Sequence, residues 1–155
     1  MTRRIRVIGC GSPGAGDDAV GLLAVEMLRE RVPAGVDVRE AGPASKVPEL
    51  LTDADTAILI DAVRGPPGVR QPGMVVRAEG PDLGPVLSGS LSSHGVGLAE
   101  SVALAEAVGA TAHVIFHGIE AEGMETGSPL SHAATAALPE LVDAVMADIR
   151  AEVEQ

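Results

Sequence analysis

Tryptophan, tyrosine and asparagine are absent from the 155-residue chain, and phenylalanine (Phe116), lysine (Lys46) and cysteine (Cys10) occur once each. With one aromatic, the interior must be filled by Ala, Val, Leu, Ile and Met, and side chains this small favour helices packed closely on a sheet. Without asparagine, caps and turns fall to Ser, Thr, Asp, Gly and Pro. A single cysteine excludes an internal disulfide, and the start Met1-Thr2-Arg3-Arg4-Ile5-Arg6-Val7 lacks the apolar stretch of a secretory signal, so a cytoplasmic location is expected. No apolar run nears the roughly 20 residues that span a bilayer, and no membrane partner is expected. Positive charge is scarce as well. Eleven Lys and Arg against 22 Asp and Glu leave a formal net charge of −11, which excludes the clustered basic surface that nucleic-acid binding needs. A hydrophobic fraction of 46% excludes a disordered chain, and the length predicts one domain over residues 1–155.

What remains reads as alternating strands and helices. Ile5 to Cys10 is a β-branched run that stops at a glycine cluster, and from Asp18 the apolar residues Val20, Leu23, Ala24, Met27 and Leu28 follow helical spacing. Strands are expected at 36–40, at 57–61 and at 112–117, with helices at 45–51 and 97–108. Residues 62–72 contain Pro66, Pro67 and Pro72 and leave no room for a crossover helix, so the next strand, 73–77, is expected antiparallel at a sheet edge. Residues 80–95 read as a long loop, and Ser128-Pro129 as the start of a C-terminal helix that Pro139 should kink or divide. The fold class is α/β: a three-layer α/β/α sandwich whose twisted mixed sheet of about five strands contains one antiparallel strand.

Three segments carry residues with chemical potential. Gly9, Gly11 and Gly14 match the spacing of a dinucleotide-binding turn, but Asp17 and Asp18 place two carboxylates at the helix mouth, where they would oppose a phosphate. One of them, Asp17, is expected to cap the helix, which leaves Asp18 for a ligand. Asp61 ends the strand 57–61, at the carboxyl edge where open α/β sheets place their sites. His94 precedes a helix in the long loop. Two carboxylates and an imidazole from three segments suit a divalent cation such as zinc or nickel. A hydrolase reading through Ser12 or Ser92, His94 and Asp61 stays open, as does a small nucleotide-binding module on the Gly9–Gly14 turn. His113 and His117 share a face of one strand and read as core or edge residues, His132 as solvated, and Cys10 as a buried, inert thiol.

Four motifs then occur in a familiar order: Gly9-Cys10-Gly11-Ser12 leading to Asp17-Asp18-Ala19-Val20-Gly21; Leu59-Ile60-Asp61-Ala62-Val63; Ser92-Ser93-His94-Gly95-Val96-Gly97-Leu98; and Gly118-Ile119-Glu120 followed by Ser128-Pro129. Together they resemble the nickel-iron hydrogenase maturation endopeptidases over nearly the whole chain. The resemblance implies removal of a C-terminal extension from a hydrogenase large subunit precursor. It also implies nickel that arrives bound to that substrate, with zinc or another divalent ion able to substitute in vitro. By the same resemblance Asp18, Asp61 and His94 are the metal-contacting and catalytic residues. Ser12 stands where the family usually has Asn, and Pro13-Gly14-Ala15-Gly16 replaces a commonly aliphatic loop.

Overall fold

The computed structural model describes residues 2–90 and 97–155. Five strands, β1 (Ile5–Cys10), β2 (Asp37–Gly42), β3 (Thr56–Val63), β4 (Val75–Glu79) and β5 (His113–Glu120), form one sheet in the order β2-β1-β3-β5-β4. All neighbours are parallel except β4 and β5. The proline-containing link after β3 has the consequence expected of it: β4 is the antiparallel strand and lies at an edge. It begins two residues later than its sequence pattern suggests.

Helices α1 (Val20–Arg29) and α5 (His132–Val153) cover one face of the sheet, and α2 (Val47–Leu51), α3 (Leu83–Leu87) and α4 (Leu98–Ala107) the other. The two cores follow from strand periodicity. On β3, Ile58, Ile60 and Ala62 pack with α1 and α5, while Ala57, Leu59 and Val63 pack with α2 and α4. Every residue of β3 is buried, as a central strand covered on both faces requires. Phe116, the one aromatic, is fully buried in the second core.

Several boundaries depart from the sequence reading. Residues 80–90 are not open loop: a short 3₁₀ turn at Gly80–Asp82 leads into α3. Both β3 and β5 run further, to Val63 and Glu120, because their last residues sit between paired neighbours rather than at a free end. The C-terminal helix starts at His132, where Ser131 is the cap and accepts the Ala134 amide at 3.1 Å, and not at Ser128-Pro129. It is a single helix of 22 residues that passes through Pro139 undivided. Leu138, Leu141, Val142 and Val145 bury that stretch on both sides of the proline, and their packing outweighs one missing backbone hydrogen bond.

His117 lies on the α5 side of β5, fully buried, and its Nε2 donates to Asp148 at 2.6 Å. Arg77 of β4 grips the same carboxylate with Nε and an Nη at 3.0 and 2.9 Å, and also pairs with Glu79 at 2.9 Å. Burial holds the His117 imidazole below its ordinary range despite the attraction of Asp148. Burial alone would raise Asp148, but hydrogen bonds from Arg77 and His117 bring it below the usual carboxylate range. Both groups bind fewer protons folded than unfolded, so the stability tied to them is present above the unfolded values, about 6.5 for His and about 3.9 for Asp, and is lost as pH falls. Asp61, raised by burial, acts in the opposite sense, so the His117 contribution is read as a difference: wild type should lose more melting temperature than His117→Gln between about pH 7.5 and about pH 5.5. Equal changes in the two proteins over that interval contradict this account.

Candidate active site

Strand order fixes where a site can form. From β1 the chain crosses to β2 on one side through α1, and from β2 it returns through α2 to β3 on the other side of β1. Between β1 and β3 the crossover helices therefore leave on opposite faces, and a crevice opens at the carboxyl ends of these strands. Asp18 enters that crevice from the turn after β1, and Asp61 from β3.

The turn is compressed into place. Residues Gly16–Ala19 form a 3₁₀ turn that runs straight into α1. A β-carbon on Gly21 would run into the carbonyl oxygens of Cys10 and Ile60, and one on Gly9 into the Gly21 carbonyl. These glycines thus let α1 lie directly on β1 and β3. Gly11, at φ +129°, backs onto the Asp18 carbonyl. The glycine spacing that matches a dinucleotide turn is used here for helix–strand contact. Gly21→Ala should cost stability despite alanine's propensity advantage of about 1 kcal/mol, because overpacking against backbone costs about 1–3 kcal/mol and carbonyls cannot swing aside as side chains do. A urea-midpoint shift equivalent to about 2 kcal/mol is expected. An unchanged midpoint would refute the close-contact role.

Asp17 does not cap α1, which corrects the sequence expectation; no side chain caps either turn of this segment. Asp17 is 1% exposed, and its carboxylate accepts the Glu122 amide, the Ser131 amide and the Ser131 hydroxyl, each at 2.8 Å. Backbone bonds from Gly16 to Ser128 and from Asp17 to Gly123 run alongside. Asp17 is a clasp between the first turn and the entry to α5, and Asp18 shares none of those partners.

Asp18 is 3% exposed, and its Oδ2 accepts the Ser12 amide at 3.1 Å. The position where the family usually has Asn therefore holds the carboxylate through its backbone, which serine supplies equally well. Asp61 is 2% exposed, shares the face of Leu59 and Val63, and accepts the Ala62 amide through Oδ1 at 2.8 Å. It is a buried group within a strand, not the exposed strand end that the sequence suggests, since β3 continues for two more residues. Burial pushes its carboxyl well above the ordinary range, and the charge of Asp18 adds to the push. Cys10 is also buried, its thiol raised well above its usual value by burial and then by Asp61 and Asp18. It stays protonated and inert.

His94 and Ser92 lie outside the described residues. The described chain on either side of them meets beside β3: Ser90 bridges Val63, and the Leu98 amide donates to the Ser90 hydroxyl at 3.3 Å. Among the described residues no three His, Cys, Asp or Glu side chains are grouped to hold a metal ion. Here one buried acid, Asp18, adds to the cost of ionising another, Asp61. His113 is exposed at the start of β5 and pairs with Glu79 at 2.7 Å, at the amino edge of the sheet, while His117 lies mid-strand opposite Ile60, on the face of the sheet away from Asp61. His132 is exposed at the start of α5.

Sequence reasoning missed one clamp at this edge, in which Glu120 binds Gly65 and Arg70. The signal was an acid closing β5, visible as Gly118-Ile119-Glu120, with no way to tell which arginine it would meet.

The same sheet, with its single antiparallel strand, occurs in solved endopeptidases. The Escherichia coli hydrogenase maturating endopeptidase HybD is 23% identical, with 95% of this chain and 92% of that one aligned at a TM-score of 0.82. The [NiFe] hydrogenase maturation protease HybD from Thermococcus kodakarensis is 25% identical over 94% and 99%, with a TM-score of 0.77. The hydrogenase 2 maturation peptidase of a Thaumarchaeota archaeon is 27% identical over 95% and 98%, at 0.70. No curated protein sequence matches significantly. A family model described as hydrogenase maturation protease, HycI, matches residues 23–148, and the chain belongs to that family. It is an endopeptidase that matures hydrogenase. No helix among the described residues is long and apolar enough to cross a membrane.

Proposed function

We propose that the chain removes the C-terminal extension of a nickel-loaded hydrogenase large subunit precursor, with Asp18, Asp61 and His94 meeting the nickel that the precursor brings. The observation that carries this reading is the pair of buried carboxylates, Asp18 and Asp61, at the switch point of the sheet, where Asp18 adds to the upward push on Asp61. Like charges so placed are stabilised by a divalent cation, and oxygen donors with one imidazole are a donor set that nickel or zinc accepts. A cation so bound supplies polarisation of a nearby carbonyl or acidification of water.

The chain's own groups prepare the site. The Ser12 and Ala62 amides fix one oxygen of each carboxylate, as outer hydrogen bonds orient ligands at metal sites. His94 belongs to the segment whose described flanks meet beside β3, which supports its assignment as third contact. The burial of both acids keeps bulk water from their inner faces, so electrostatic interactions there are stronger than at an open surface. Incubation with the nickel-loaded precursor should shorten it by the mass of its extension. A precursor of unchanged mass after prolonged incubation would refute the proposal.

A further inference from the structure

The loop that leaves β3 is held down by one buried acid. Glu120, the last residue of β5, is 5% exposed. Its two carboxylate oxygens lie 3.1 and 3.0 Å from the Gly65 amide, and Oε1 also accepts Arg70 Nε at 2.8 Å. The Arg70 side chain is 19% exposed and lies over Gly65, where an added β-carbon would come within 2.8 Å of an Nη atom. Arg70 thus engages Glu120 through Nε, and among the described residues its Nη nitrogens have no hydrogen-bond partner.

A guanidinium fixed at Nε by a buried carboxylate presents its Nη groups in one direction, ready for a second carboxylate to accept two parallel hydrogen bonds. Its place is the rim of the site. Glu120 pairs with Val63 and Gly118 with Asp61, so Glu120 is one strand over and two residues beyond Asp61 on the same face, about 8 Å away by strand geometry. Positive charge is sparse in this acidic chain, yet the same loop also carries Arg64, exposed and bonded to the Glu122 carbonyl at 3.3 Å.

We propose that Arg70 is a specificity residue that binds a carboxylate of the precursor's C-terminal extension, with Glu120 as the positioning residue that aims it; this rests on the peptidase reading of the adjacent site. Any such extension carries at least its own terminal carboxylate, and acidic side chains are the other source of the same chemistry.

The probe is a synthetic peptide with the sequence of the released extension, titrated into the full chain in three forms: unmodified, amidated at its C-terminus, and with every Asp and Glu changed to the amide. Wild type should bind the unmodified peptide about tenfold more tightly than one of the neutralised forms, and the form that loses affinity identifies the carboxylate. Arg70→Gln should bind all three forms equally. Glu120→Ala removes the acceptor for Arg70 Nε and should lose the preference as Arg70→Gln does, whereas Glu120→Gln keeps an acceptor oxygen and should retain the preference. Equal binding of all forms by wild type, a preference retained by Arg70→Gln, or a preference retained in full by Glu120→Ala would overturn the proposal. Peptide binding is read without cleavage, so the two readings fail separately. A chain that shows the preference but never shortens the precursor defeats the peptidase reading. A chain that cleaves with a KM indifferent to the carboxylates defeats this one.

Discussion

Asp61→Asn should abolish maturation of the precursor while leaving the protein as stable as before, or more so. The substitution keeps the volume of the side chain and an oxygen for the Ala62 amide, so neither a cavity nor an orphaned donor results. It removes a carboxyl whose ionised form is disfavoured by burial and by Asp18, the circumstance in which stability and activity trade against one another. Processing should fall by at least about a hundredfold, more than loss of an outer hydrogen bond around a metal ligand usually costs. Thermal melts and cleavage assays on one preparation decide the matter. A variant that melts several degrees lower and still cleaves at the wild-type rate would place Asp61 in the scaffold rather than in the site.

Asp17→Ala should be the most destabilising single change in this region. A helix cap is worth about 1 kcal/mol, whereas Asp17 satisfies three donors from two distant segments. Hydrogen bonds to a charged group contribute about 1.5–3 kcal/mol each, and their removal leaves the part-buried Glu122 and Ser131 amides without their acceptor. Even with incomplete additivity the loss should reach about 4 kcal/mol, a large fraction of the 5–15 kcal/mol that typical domains possess. Urea unfolding measures it. A loss of about 1 kcal/mol or less would return Asp17 to the role of a cap.

The neighbouring aspartates show how far the residues themselves could be read. That an acid beyond need stood at the helix mouth was legible, and Asp18 is the one whose charge acts on Asp61. The use of Asp17 was not legible, because its partners lie more than 100 residues along the chain. The same contact explains the start of α5. Ser128-Pro129 has the better local signature, but Asp17 pins Ser131, and tertiary hydrogen bonds override the local preference. The extra length of β3 and β5 was hidden for a related reason. Asp61-Ala62-Val63 and Gly118-Ile119-Glu120 look like strand ends by composition, yet each triplet finds its partners in the other. The antiparallel placement of β4, in contrast, depends only on the length and prolines of one link, and that information is local. The short helix α3 contains Gly84 and Pro85, which made its segment read as loop. Of the candidate site, the two carboxylates and the sheet edge that gathers them were legible from strand–turn–helix order.

The central claim is that His94 completes a nickel-contacting set with Asp18 and Asp61. Intact-mass measurement of nickel-loaded precursor incubated with the His94→Ala variant tests it most directly. The account predicts a precursor that keeps its C-terminal extension while wild type removes it under the same conditions, and full removal by the variant would contradict it.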